Sequence, residues 1–152
     1  MKNFIIMVLC TSSLLANMAN ITERKLFDNV KKTADMINSE APMPIDGVTT
    51  IVESTSKNNV LFIKAVVDRS KLIDLSGDMY NEEIFNKSLI KSLEKMSENT
   101  TCKDPNARKL LNNGMILQTT YMKKTGGELF KVIVTESVCI EKGLNPAMSP
   151  SL

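Results

Sequence analysis

Apolar residues recur at helical spacing from Leu26 through Val30 and Ala34 to Ile37, a period that predicts one amphipathic helix with Thr22 as its N-cap. Phe27 widens the stripe, while Lys31, Lys32 and Asp35 fall on the wet side. The helix must stop before Ala41-Pro42-Met43-Pro44, because each proline pushes its predecessor out of helical space. Ile45-Asp46-Gly47 continues that turn. The pattern then changes period. Residues 48–53 and 60–67 are rich in β-branched side chains, and the polar run 54–59 between them reads as the turn of a β-hairpin. Leu61, Ile63, Ala65 and Val67 share one face of the second strand, with Val60, Phe62 and Val66 on the other. A strand apolar on both faces belongs in the middle of a sheet.

Asp68-Arg69-Ser70-Lys71 returns the chain to solvent, and a second helix is expected to start near Asp78 or Asn81. Ile84, Phe85, Ser88, Leu89, Ser92, Leu93 and Met96 keep the helical period over four turns, which gives a stripe to pack on the sheet. Asp104-Pro105 places an N-cap before a proline at the first helical position, and Asn113-Gly114 closes the short helix that follows. Residues 115–122 and 128–135 read as two further strands around a turn whose Gly126 and Gly127 supply positive φ. The expected fold is α+β, an antiparallel sheet of four or five strands packed with two to three helices and braced by one disulfide.

That disulfide follows from the first segment of the chain. Lys2 precedes an apolar run from Phe4 to Leu9 and on to Leu14-Leu15, and small residues stand at Ala16 and Ala19, the pattern of a secretory signal peptide. The run is interrupted by Thr11-Ser12-Ser13 and falls short of the ~20 residues that a membrane span needs. Residues 1–19 are therefore expected to leave, taking Cys10, and the remaining pair Cys102 and Cys139 is expected to be oxidised outside the cytoplasm. The 133 residues left of 152 suit one domain over residues 20–141, followed by a loose Gly/Pro/Ser-rich tail over 142–152.

Charge and chemistry narrow the function classes. Of 19 basic residues only Lys2 leaves with the signal, so 18 face 17 acidic ones; a nucleic-acid binder needs a basic stripe instead. The chain has no histidine. A Ser-His-Asp triad, a Cys-His pair and a His-ligated zinc site are thereby excluded, and two cysteines cannot make an all-thiolate site. Adjacent Glu82 and Glu83 point about 100° apart on a helix and cannot converge on one atom. Asp68, Asp74 and Asp78 do not match the spacing of an EF-hand loop. The reading is a non-enzyme with no catalytic residue, no metal and no cofactor.

Pro44-Ile45 before the first hairpin, Cys102-Lys103-Asp104-Pro105 ahead of the short helix, Leu110-Leu111-Asn112-Asn113-Gly114, Tyr121 in the next strand and the closing Cys139 together resemble a group of disulfide-braced bacterial envelope proteins. The group includes one type of type II secretion pilotin. The resemblance implies a sheet of four or five strands with helices and a task of escorting a secretin subunit to the outer membrane. Pilotins of this kind are usually lipoproteins, whereas Met7-Val8-Leu9 lacks the small residues expected before a lipid-bearing Cys10. The expected protein is thus a periplasmic or secreted protein-binding factor, a pilotin-like accessory of a secretion or surface-assembly system. Its partner would be another envelope protein and not nucleic acid, with membrane contact only through that partner. A periplasmic inhibitor or immunity protein that blocks an enzyme is the alternative, and a small hydrolase with Ser or carboxylate chemistry the third. The partner surface is expected in a groove between sheet and helix or at a sheet edge, with Leu26, Phe27, Val30 and Ile37 as candidate contacts. Packing of those four on the domain's own sheet is the competing reading.

Overall fold

The computed structural model describes residues 22–71 and 82–144, with the backbone alone at residues 82, 84 and 85. The leading apolar segment, Asp74, Asp78, the expected helix start near Asp78 or Asn81 and the tail from residue 145 lie outside the described residues.

Helix α1, Glu23–Glu40, follows the predicted period: Leu26, Val30, Ala34 and Ile37 are all buried. Thr22 is extended ahead of it, as an N-cap residue should be, although its side chain makes no capping bond. Ala41 is extended in turn and ends the helix before Pro42. The turn expected next contains a two-residue strand, β1 (Met43–Pro44), paired with Thr50 and Ile51 of strand β2 (Thr49–Lys57). Proline has no N–H to donate, so an edge is where it can sit in a sheet.

Strand β2 runs four residues further than its apolar pattern suggests. A bulge between Ile51 and Glu53 shifts the inward phase from Thr49 and Ile51 to Ser54. An extra residue in one strand does this to any period-two pattern. Ser54 is consequently 1 % exposed, and Asn38 at the end of α1 takes both of its backbone groups, donating to its carbonyl and accepting from its N–H at 2.7 Å. One side chain thereby shields the strand edge where β1 has already ended. The hairpin turn is Asn58-Asn59 alone, with Asn58 at φ 54°, as a tight two-residue turn requires.

Strand β3 (Val60–Val67) is third in a five-stranded sheet of order β1-β2-β3-β4-β5. Leu61, Ala65 and Val67 are buried on the helix-covered face, and Val60, Phe62 and Val66 are half-buried on the other. The sheet is mixed where the sequence suggested an antiparallel one. Strands β3 and β4 (Ile116–Lys123) run parallel, with Val60 opposite Ile116 and Val67 opposite Lys123. Helices α2 (Glu82–Lys103) and α3 (Pro105–Asn112) occupy the connection, and a crossover of that size lets neighbouring strands keep one direction. The other pairings, including β4 with β5 (Glu128–Val134), are antiparallel.

Helix α3 opens as its sequence dictates, the Asp104 carboxylate accepting from the N–H of Asn106 and of Ala107 at 2.9 and 2.7 Å. A further helix, α4 (Glu136–Glu141), follows β5 and was not expected; Thr135 at its N-cap accepts from the Val138 N–H. Six residues are too few for periodicity to announce. The Cys102–Cys139 bridge, Cα atoms 5.5 Å apart, joins the last turn of α2 to α4. Beyond α4, Leu144 packs on the core and its carbonyl accepts from Arg108 at 3.2 Å.

Candidate functional site

The helices stand on one face of the sheet, α1 over β2 and β3 and α2 over β5, and an apolar groove of about 150 Å³ opens between them. Its floor is sheet: Ile51, Leu61, Ile63, Leu117, Thr119 and Tyr121. Thr33 and Ile37 of α1 form one wall, and the end of α2 and start of α3, from Met96 to Ala107, form the other. Met43, Pro44 and Ile45 close one end. Small inward residues such as Thr119, Thr101 and Ala107 stand where larger ones would have filled the gap. A dry space of this size is large enough for a small apolar body such as a benzene ring.

Tyr121 is the most buried polar residue of the lining. Its ring stacks on Phe130, centroids 4.8 Å apart and planes at 13°. Burial pushes its hydroxyl up to about 12, partly opposed by a hydrogen bond with Ser97, while the Asp46 charge nearby raises it further. Asp104 is the one charged side chain among the lining residues. Behind the α2 wall the Glu98 side chain, 7 % exposed, pairs with Lys142 at 2.8 Å, and that bond with Glu98 holds the lysine above its ordinary range. Together with the disulfide it fastens the wall to α4 and the residue that follows it. At the sheet end, Asp68 accepts from Lys124 at 2.7 Å and Ser70 at 2.6 Å, and these bonds bring its carboxyl down to about 2.

Cys102 follows the wall residue Thr101 directly, so the predicted bridge braces the groove without facing it. Of the four candidate contacts, Leu26 and Val30 are buried in the core at 5 % and 0 % exposure, and Phe27 is partly buried against it. Ile37, also buried, is the one that borders the groove. Sequence reasoning did not single out Met43, Ile45, Met96 or Tyr121 as site residues. Met43 and Ile45 carried a usable signal, two apolar side chains set among prolines in an otherwise polar turn. Among the described residues no group of three or more His, Cys, Asp or Glu could hold a metal, and no helix is long and apolar enough to cross a membrane.

No family model matches the chain, and no curated protein matches it by sequence. Its fold is shared with solved structures. The type II secretion pilotin EpsS of Vibrio vulnificus superposes with a TM-score of 0.63 at 17 % identity, over 77 % of this chain and 94 % of that one. A Pseudomonas aeruginosa protein described as secreted gives 0.61 at 20 % identity, over 80 % and 98 %. The type II secretion pilotin AspS of Vibrio cholerae gives 0.56 at 17 % identity, over 77 % and 94 %. These structural neighbours bear out the resemblance read from the sequence.

Proposed function

We propose that this chain is an exported, non-enzymatic protein-binding factor of the bacterial envelope, a pilotin-like accessory of a secretion or surface-assembly system. The observation that carries the reading is the apolar groove between α1 and the α2–α3 wall, on a fold shared with two type II secretion pilotins. A secretin or surface-assembly subunit would be held by burying an apolar segment there. Such segments gain most of their affinity from a few anchor side chains in a dry pocket. Removal of the signal over residues 1–19 would leave the protein in the periplasm, where the Cys102–Cys139 bridge is stable.

Met96 gives a clean test, because it lines the groove and is only half-buried. Met96→Gln keeps the length of the side chain and removes its apolar character. Capture of a secretin or assembly subunit from crosslinked envelope should fall about tenfold, the loss expected of one anchor worth some 1–2 kcal/mol, with the melting temperature within a few degrees of wild type. Ile133→Gln, on β5 at 53 % exposure and away from the groove, should leave capture unchanged. Equal capture by wild type and Met96→Gln would refute the groove as the partner site.

A further inference from the structure

The groove has a sign as well as a shape. Asp104 lines one wall. Asp46 follows the lining residue Ile45, and its charge is felt by the Tyr121 hydroxyl on the floor. Both carboxylates are held in the same way. Oδ1 of Asp104 accepts from the N–H of Asn106 and Ala107, and Oδ1 of Asp46 accepts from the N–H of Val48 and Thr49 at 2.7 and 2.6 Å. These bonds fix the carboxylates in place and leave Oδ2 of each without a hydrogen bond or ion pair among the described residues. Among the described residues no lysine or arginine lines the groove; Asp46 stands just outside the lining, and Lys71 reaches the carbonyl of its neighbour Gly47 at 3.3 Å without an ion pair to Asp46.

We propose that the segment bound in this groove is an apolar peptide carrying a lysine or arginine beside its anchor, read by Asp104 and Asp46. The inference rests on the groove being the partner site, as proposed above, and adds the charge of what enters it. Apolar burial supplies affinity without regard to sign. The two carboxylates then discriminate, because a cation beside them is attracted while an acidic residue is repelled and desolvated. Each already accepts two backbone N–H groups, and Asp104 also faces the positive end of α3, so the preference is moderate and sensitive to salt.

The test uses three matched twelve-residue leucine-rich peptides that differ at one position, Lys, Gln or Glu, with binding measured by fluorescence anisotropy on the whole mature protein. The Lys peptide should bind about tenfold more tightly than the Glu peptide at low salt, with Gln between them. Asp104→Asn and Asp46→Asn keep the backbone hydrogen bonds, since Asn accepts in both settings. The double variant should therefore melt as wild type does and bind all three peptides alike. Equal binding of the Lys and Glu peptides to wild type, or a Lys preference that persists in the double variant, overturns the charge inference and leaves the groove standing. Failure of all three to bind overturns both.

Discussion

Replacing Cys102 or Cys139 with serine will lower the stability of the domain by about 2–5 kcal/mol, the usual cost of losing a native bridge in a small secreted domain. The bridge spans 37 residues, and closing a loop of that length restricts the unfolded chain by roughly 4 kcal/mol in the chain-entropy model. Both cysteines are fully buried, so each serine also places a hydroxyl among apolar neighbours. Urea unfolding of the oxidised wild type and either variant reads the difference directly. A change below about 1 kcal/mol would show that α2 and α4 hold together without the bond. The same variants loosen the groove, because Cys102 anchors the wall that runs from Met96 to Ala107.

Tyr121→Ala is the other large effect, expected at about 3–5 kcal/mol, as for other buried aromatics. The ring is 2 % exposed and stacked on Phe130, and its removal would join a new void to the existing groove. Tyr121→Phe keeps the stack and loses only the hydroxyl bond with Ser97, so it should cost about 1 kcal/mol. The two variants also separate the pH behaviour. A hydroxyl moved from 10.0 to about 12 by burial stays protonated in the folded protein after the unfolded chain has lost its proton. Its stabilisation is complete below pH 10 and is lost as pH rises toward 12. Lys142, raised by Glu98, acts in the same direction. Tyr121→Phe should therefore flatten the alkaline decline without abolishing it; an identical decline in both proteins would contradict the burial of this hydroxyl.

What was legible in the sequence was whatever local periodicity and punctuation decide. Leu26, Val30, Ala34 and Ile37 fixed the buried face of α1, Asp104-Pro105 fixed the start of α3, and the two-sided apolar pattern of 60–67 identified a central strand. Three features escaped for physical reasons. The continuation of β2 through Ser54 was hidden by a bulge and by polar residues that the sheet accepts near its edge. The parallel pairing of β3 with β4 is set by where a connection of nearly 50 residues returns, which strand composition does not encode. The lining of the groove escaped: a groove between sheet and helix was expected, but the gap between α1 and α2 is left by small residues that each look like ordinary core.

The central claim is that this groove receives the partner, and site-specific photocrosslinking in living cells tests it most directly. A photoreactive residue at Met96, facing the groove, is compared with one at Thr120, which is half-buried and lies outside the groove. The account predicts one dominant adduct from position 96, identified by mass spectrometry as a secretin or surface-assembly subunit, and none from position 120. An adduct with that same partner from position 120 and not from position 96 would contradict it.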